Sequence, residues 1–357
     1  MLTVFSAVVR MLGLAPQAKK VWFEGGLSTE VTMLGVEFYL DQGPDGTQPM
    51  YCKVPQDKVD KAVKAIEKAA AEHWVPAEDC QSLLGILAFH GRVLLAGRWH
   101  LPFSVRALKE ACATGVARMD ETWVAELRWW KELLTTWNKV ALLVPREFTS
   151  YDEQAFETPF TDASRSRERL TGGAGAVFGK FFQMFQFTRR ECHYLDIMDL
   201  EGLVVVMWMT YLCETQPELV KGKRFIARCD NEPFVISVNS RKSSKPTVAF
   251  LLGRLHLLQC RFSFDFKLIY IKSKLNVCAD ALSRDDIDAY YSYMSDEFNL
   301  SPHELVCVPV QNTLRNSLVS SMISTRPTTD TMPKRPNGGR RPPTSCGRGS
   351  AIGMGAT

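Results

Sequence analysis

Residues 160–284 constrain the fold more than any other part of this chain. Four short segments in this stretch each carry an acidic residue, and each lies where the residue pattern predicts the end of a strand or the start of a helix. Across the stretch the pattern predicts the order strand, strand, strand, helix, strand, helix, helix, strand, helix. This order is typical of a mixed α/β domain, in which strands and helices pack in layers. The four acidic residues are Asp162, Glu201, Asp230 and Asp280.

The composition of the 357-residue chain is that of a globular protein, with 46% hydrophobic residues and a formal net charge of +4. The charge is compatible with nucleic-acid binding, and equally with an ordinary soluble protein. Ten cysteines are scattered without a Cys-x-x-Cys pair, which argues against a zinc site and favours the cytoplasm or nucleus over secretion. The longest apolar run, residues 203–213, is too short to span a membrane and predicts a buried helix.

Changes in residue pattern divide the chain into five predicted parts. Residues 1–50 resemble an incomplete domain, with a helix over 4–14 and strands over 20–24 and 32–40. Residues 291–357 show no sustained hydrophobic periodicity and end in a stretch rich in Thr, Pro, Arg and Gly. We therefore expect a largely disordered tail. The predicted parts are 1–50, a helical region 51–140, a linker 141–158, a mixed α/β domain 159–290 and the tail 291–357.

A row of large apolar residues follows helical spacing within residues 120–138. Tryptophans in such a row can form a stacking platform for nucleic-acid bases. Packing between helices is the interpretation we favour, because aromatic side chains bury large apolar areas in helical cores. The residues in the row are Trp123, Leu127, Trp130, Leu134 and Trp137.

The four acidic residues suit one kind of chemistry if the fold brings them together. Asp162 and Asp230 end the first and fourth predicted strands, so they face each other if those strands are neighbours. Crowded carboxylates repel one another unless a cation holds them, and Mg²⁺ prefers such oxygen ligands. Two divalent ions about 3.5–4 Å apart activate water and stabilise the leaving oxygen in phosphodiester hydrolysis. Taken singly, each acid also has a purely structural interpretation, as a helix cap, a turn residue or a partner of the helix dipole.

Taken as a set, the motifs resemble the ribonuclease H domain of retroelement reverse transcriptases, in particular those of long-terminal-repeat and DIRS-like retrotransposons. The segments that carry the resemblance are Thr161-Asp162-Ala163-Ser164 before a Gly-rich strand, the helical Glu201, Cys229-Asp230-Asn231, and Asn276-Val277-Cys278-Ala279-Asp280-Ala281-Leu282-Ser283-Arg284.

Upstream segments resemble other parts of the same enzymes. Leu34-Gly35-Val36-Glu37-Phe38 is similar to a segment late in the polymerase palm. Val54-Pro55-Gln56-Asp57-Lys58 and Gln81-Ser82-Leu83-Leu84-Gly85 are similar to the start of the thumb and its helix. By this resemblance, 1–50 is a palm remnant and 51–140 a thumb or connection region.

The resemblance implies a ribonuclease-H-like α/β fold that cleaves the RNA strand of an RNA–DNA hybrid. Asp162, Glu201, Asp230 and Asp280 are then the catalytic ligands of two Mg²⁺ or Mn²⁺ ions. Such substrates are recognised by backbone geometry and 2′-hydroxyls, and basic loops supply phosphate contacts. The predicted nucleic-acid-binding residues are Ser164, Asn231, Arg241, Lys242, Lys272 and Lys274.

Two departures from the family pattern stand out. The family usually has a His-Ile-Pro-Gly turn before its last motif, where this chain has Tyr270-Ile271-Lys272-Ser273. We therefore expect a looser or reshaped loop before Asp280. Nothing in the chain matches the Tyr-x-Asp-Asp motif of polymerases, so we predict no DNA synthesis by this chain alone.

Three functions remain open from the sequence. The first is an active ribonuclease H fragment of a retroelement polyprotein. The second is a catalytically inactive transposon remnant that acts at most as a nucleic-acid-binding module. The third is another nuclease or an integrase on the same fold, because a fold does not determine a function. The sequence assigns no oligomeric state.

Overall fold

A computed structural model describes residues 30–33, 35–40, 50–136, 139–141, 159–221 and 223–325. The predicted helix over 4–14, the strand over 20–24 and residues 326–357 of the predicted tail lie outside these ranges. Most of the predicted linker also lies outside them. The elements below are numbered along the described chain.

The region before residue 142 combines a four-stranded antiparallel sheet, a two-stranded ribbon and four α-helices within the described residues. The sheet order is β1-β2-β3-β6, and β4 pairs with β5. The elements are β1 (Glu30–Met33), β2 (Val36–Leu40), β3 (Met50–Lys53), α1 (Gln56–Ala71), β4 (Trp74–Pro76), α2 (Ala77–Val93), a 3-10 helix (Leu95–Trp99), α3 (Pro102–Thr114), β5 (Val116–Arg118), α4 (Glu121–Thr136) and β6 (Lys139–Ala141).

The single strand predicted over 32–40 is wrong, because the chain turns back on itself at Gly35. Met33 pairs with Val36, so β1 and β2 form a hairpin with a two-residue turn. Gly35 has a φ of +79°, a conformation that glycine adopts without steric cost.

The four helices enclose a core of their own. Trp123, Leu127, Trp130 and Leu134 of α4 are buried, which confirms the packing interpretation for these residues. Trp137 lies outside the described residues. Trp129, on the same helix, donates from its indole to the carbonyl of Gly253 at 2.9 Å, and so joins this core to the domain that follows.

The second region is a six-stranded mixed sheet with the order β11-β10-β7-β8-β9-β12. Strands β7, β8 and β9 are antiparallel, whereas β10 runs parallel to β7 and β11. The mixed α/β, ribonuclease-H-like fold class is confirmed, and so is the predicted order of elements, except that the structure has three helices, two of them short, where one was predicted between the third and fourth strands. The elements are β7 (Phe160–Ala163), β8 (Gly173–Phe178), β9 (Phe181–Gln186), α5 (Arg189–Tyr194), α6 (Ile197–Thr215), α7 (Pro217–Val220), β10 (Arg224–Cys229), α8 (Glu232–Ser240), α9 (Pro246–Phe262), β11 (Asp265–Tyr270), a second 3-10 helix (Ser273–Leu275), α10 (Val277–Ser283), α11 (Ile287–Phe298), β12 (Val306–Cys307) and α12 (Asn312–Ser324).

Helix α6 is the centre of this domain. Every residue from 199 to 213 is buried, as expected for a helix that is apolar on all sides. Its first turn is closed by a capping box between Asp196 and Asp199. The buried helix predicted over 203–213 is therefore confirmed. Of the helices in the described ranges, none is long and apolar enough to cross a membrane.

The predicted disorder from residue 291 is wrong for residues 291–325, which form the end of α11, β12 and α12. Leu318 and Met322 of α12 are buried in the core around α6. Arg315 is also buried, and its guanidinium donates to the Glu191 carboxylate at 2.5 and 2.8 Å. Helix α12 is rich in serine and polar residues, so its place in the core depends on partners that are distant in the sequence.

Candidate metal centre

Two of the predicted ligands lie side by side because their strands are neighbours. Strand β7 pairs in parallel with β10, and Thr161 is opposite Cys229. The next residue on each strand is an aspartate, so Asp162 and Asp230 follow at the same level where the strands end. Asp162 is only 3% exposed, and this burial and the charge of Asp230 raise its pKa.

Glu201 approaches these aspartates from helix α6. The helix begins at Ile197, so Glu201 lies in its second turn rather than in the first turn that the sequence pattern predicts. The Glu201 side chain is buried and accepts a weak hydrogen bond from the Cys229 thiol at 3.8 Å. A further hydrogen bond connects it to the backbone of Ala163 on β7. Helix and sheet thus hold Glu201 against the strand ends.

Burial and mutual repulsion govern the protonation of these acids. Burial and the nearby Asp230 charge raise the pKa of Asp162 to about 7. Burial, followed by the charges of Asp162 and Asp230, raises the pKa of Glu201 well above its usual range. A bound divalent cation reverses this effect, because it favours the charged form of every carboxylate that it touches. The donor set therefore fits a divalent cation.

Cys229 is a member of the cluster to which sequence reasoning assigned no role. Ligand atoms of Glu201, Cys229 and Asp230 all lie within 4.8 Å of one another, close enough to hold one ion. Burial raises the pKa of the Cys229 thiol well above its usual range, and only a thiolate ligates metals well. The neighbouring carboxylates are therefore the better ligands for a hard cation such as Mg²⁺. The position of Cys229 directly before Asp230 was the available signal.

Asp280 lies on helix α10, which approaches β8 unusually closely, and it is not among the described residues whose ligand atoms lie within 4.8 Å of one another. A β-carbon on Gly175 would clash with the carbonyl oxygen of Ala279, and one on Gly173 would clash with that of Ser283. The Gly-rich strand is thus what allows the helix to approach. The Asp280 charge contributes to the raised pKa of Asp162, which places the two carboxylates in electrostatic range.

Arg284 holds the Asp280 carboxylate in this structure. Its Nε donates to both carboxylate oxygens at 2.9 Å, and its Nη2 lies 2.8 Å from Oδ1. The Arg284 side chain is 64% exposed, so the pair contributes only about 0.3–0.5 kcal/mol, as other exposed i,i+4 ion pairs do. Sequence reasoning included Arg284 in a motif but gave it no role.

The loop in which the chain departs from the family pattern is bound to the centre on both sides. Ser273 begins a 3-10 turn and donates from its hydroxyl to Asp230 Oδ2 at 2.5 Å. The buried side-chain amide of Asn276 donates to the carbonyl of Thr161 at 3.0 Å. The loop is therefore held at two points, so the expectation of a looser loop is wrong.

Two of the predicted nucleic-acid-binding residues have structural partners near the centre. Ser164 accepts from the backbone N–H of Gly173 at 3.0 Å and donates to the carbonyl of Ser283 at 2.6 Å, so it ties β7 to helix α10. Asn231 caps helix α8, accepting from the N–H of Phe234 at 3.0 Å.

The four predicted basic residues fall into two groups. Arg241 stacks over Trp99 at 4.1 Å from the ring centroid and lies 3.3 Å from the Asp265 carboxylate, so its charge is used within the chain. Lys242, Lys272 and Lys274 are exposed. Lys272 and Lys274 flank Ser273, which places them beside the metal centre.

These features define a mixed α/β domain with a candidate metal centre of carboxylates where two parallel strands end. In comparisons with known proteins, no family model and no curated protein matches the chain. A similar solved structure is a foamy viral protease–reverse transcriptase in complex with double-stranded DNA. The identity is 12%, the match covers 69% of this chain and 38% of that one, and the TM-score is 0.21. A score this low does not establish a shared fold, so the fold class rests on the strand order above.

Proposed function

We propose that the chain is part of a retroelement reverse-transcriptase polyprotein and that its α/β domain is a ribonuclease H-type endonuclease. It hydrolyses the RNA strand of an RNA–DNA hybrid with two Mg²⁺ or Mn²⁺ ions. One observation carries the proposal. Asp162 and Asp230 lie side by side at the ends of adjacent parallel strands, and Glu201 is buried against them. Carboxylates crowded in this way are stable together when they hold cations.

Each residue has a role in the proposed reaction. Asp162, Glu201, Asp230 and Asp280 hold the ions, which activate the attacking water and stabilise the leaving oxygen. Ser273 orients Asp230 through its 2.5 Å hydrogen bond, and the Cys229 thiol contacts Glu201. Lys272 and Lys274 are exposed and contact phosphates of the hybrid.

One contact favours the alternative of an inactive nucleic-acid-binding remnant. Arg284 pairs with both carboxylate oxygens of Asp280, and this pairing competes with metal binding by that carboxylate. The two functions differ in whether nucleic acid is cleaved or only bound.

A cleavage assay tests the proposal. The full chain is incubated with an RNA–DNA hybrid in Mg²⁺ or Mn²⁺, beside Asp230→Asn and beside Asp60→Asn, which changes an exposed aspartate on α1. We expect cleavage by the wild type and by Asp60→Asn, and at least a roughly hundredfold loss in Asp230→Asn, in keeping with the several kcal/mol that a catalytic metal supplies. Wild-type protein that binds the hybrid without cutting it, or equal cleavage by Asp230→Asn, contradicts the proposal.

A further inference from the structure

A groove opens next to the metal centre, between the β7–β8 loop and the end of helix α10. It encloses about 570 Å³. Three arginines line it, together with hydroxyl and amide groups and a single acid, Asp285. Cationic and hydrogen-bond-donating groups in this proportion suit an anion with several oxygen atoms. The three arginines are Arg165, Arg169 and Arg284.

The groove and the metal centre share a wall. Ser164 follows Asp162 by two residues and bonds to Ser283, and both serines line the groove. Arg284 also lines the groove while its guanidinium holds Asp280. One side chain therefore faces both the fourth carboxylate and the groove.

Arg165 is anchored but incompletely satisfied. Its Nη2 donates to the carbonyl of Cys192, which fixes the guanidinium. Its Nε is buried and finds no hydrogen-bond acceptor among the described residues. Buried N–H groups without an acceptor are rare in folded proteins, and the Arg165 Nε reaches an anion in the groove only if its guanidinium shifts. Arg169, across the loop, is exposed and can turn toward the same anion.

We infer that the groove binds a backbone phosphate of the nucleic-acid strand, and that Arg284 transfers from Asp280 to this phosphate when the strand binds. This inference rests on the proposed function for the identity of the strand. A guanidinium binds two phosphate oxygens in the same bidentate geometry with which it binds a carboxylate. The transfer frees Asp280 for the metal centre, so nucleic acid and metal each strengthen the binding of the other.

Metal binding without nucleic acid tests the transfer. Mn²⁺ affinity of the full chain is measured by calorimetry for the wild type, Arg284→Gln and Arg167→Gln, the last removing an exposed arginine of the same loop that does not line the groove. Freeing Asp280 is expected to tighten Mn²⁺ binding about twofold in Arg284→Gln, which is the value of an exposed i,i+4 ion pair, and Arg167→Gln is expected to match the wild type. Unchanged or weaker binding in Arg284→Gln overturns the inference.

A double substitution separates release of Asp280 from the simple loss of a positive charge. In an Asp280→Asn background, Arg284→Gln is expected to leave Mn²⁺ affinity unchanged, because the carboxylate that it released is gone. The same gain in both backgrounds shows a general charge effect and overturns the inference.

Nucleic-acid binding tests the groove itself. Fluorescence anisotropy in EDTA compares a labelled RNA–DNA hybrid with double-stranded DNA, and inorganic phosphate serves as a competitor. Arg284→Gln and Arg169→Gln are each expected to weaken hybrid binding about three- to tenfold and to reduce the salt dependence by about one phosphate contact. Binding of the hybrid by both variants as tightly as by the wild type overturns the inference. Inorganic phosphate that displaces the hybrid when its concentration equals that of the phosphate groups in the hybrid also overturns it.

The outcomes distinguish this inference from the proposed function. A wild type that does not cleave the hybrid, but shows the Arg284 effects on Mn²⁺ and on binding, refutes the nuclease and leaves the transfer standing. A wild type that cleaves without those effects keeps the nuclease and refutes the transfer.

Discussion

At the scale of single residues, the carboxylate cluster of the candidate metal centre lowers the stability of the metal-free protein. Asp162 is buried beside two other acids, and its pKa is raised to about 7 from the ordinary value of 3.8. A carboxyl group whose pKa is raised by folding contributes stability below its unfolded pKa, and that stability is lost as the pH rises through the folded pKa. In the metal-free protein this contribution of Asp162 is therefore lost between about pH 4 and pH 7, and a divalent cation offsets the loss.

Replacing Asp162 with asparagine removes this cost. In EDTA at pH 8, we expect Asp162→Asn to raise the free energy of unfolding by about 2 kcal/mol, because one buried charge disappears. Near pH 4 the variant and the wild type should be similar. Urea denaturation at both pH values measures the difference, with Asp60→Asn as an exposed control. A variant that is less stable than the wild type at pH 8 contradicts the interpretation.

Residue patterns predicted part of this centre. Asp162, Glu201 and Asp230 were identifiable because each has a distinctive position at the end of a strand or near the start of a helix. The partners of Asp230 and Asp280, Ser273 and Arg284, received no role. A serine or an arginine has many possible partners, and only a folded chain selects one of them.

At the scale of elements, two glycines on β8 determine where α10 lies. We expect Gly175→Ala to cost about 1–3 kcal/mol, as overpacked cores do, because its β-carbon meets the backbone of Ala279. Mn²⁺ binding should weaken as well, since Asp280 moves with the helix. Gly85→Ala on α2 is the matched control, because nothing in the described part of the chain lies within 4 Å of the added carbon. That change should stabilise the helix by about 0.5–1 kcal/mol. Equal effects of the two substitutions on urea denaturation contradict this account.

Helix α12 depends on the buried pair of Arg315 and Glu191, whose side chains are 9% and 4% exposed. Removing one partner leaves a buried charge, so Arg315→Leu should lower the free energy of unfolding by about 3 kcal/mol. Arg254→Leu is the comparison, because the pair of Arg254 with Glu132 is one-third exposed and should contribute about 1 kcal/mol or less. Equal costs for the two substitutions in urea denaturation show that α12 does not depend on this pair.

At the scale of the whole molecule, the helical region and the α/β domain meet across a histidine pair. His100 Nε2 lies 3.0 Å from His256 Nδ1, and His100 stacks on Trp129. Gly253 on α9 allows this approach, since a side chain there would press on Trp129 and His100. The interface therefore contains one buried histidine ring, His256, and one half-buried ring, His100.

Protonation of the pair opposes folding. Burial, followed by the nearby Arg241 charge, lowers the pKa of His256 to about 3, and burial lowers that of His100 well below its ordinary value of 6.5. Lowered values mean that the unfolded chain binds more protons, so this stability is present above about pH 6.5 and is lost as the pH falls toward 3. Each histidine contributes up to about 1.4 kcal/mol per pH unit in that range.

A substitution tests the role of the pair. His256→Phe keeps an aromatic ring and should flatten the decline of stability between pH 6.5 and pH 5, whatever its effect at pH 7.5. His193→Phe, at an exposed position on α5, should keep the wild-type slope. Urea denaturation across this pH range measures both, and an unchanged slope in His256→Phe contradicts the assignment.

The sequence by itself determined the strands and the long helices from 160 to 284 and singled out the acids as candidates, because hydrophobic periodicity and turn residues are local signals. It did not reveal the break at Gly35, where one backbone angle divides a continuous β pattern. Only the tertiary structure decided that β7 and β10 are neighbours, that α12 joins the core, and that Arg284 lies between Asp280 and a groove. These arrangements depend on contacts between residues far apart in the chain, for which local propensity carries no information.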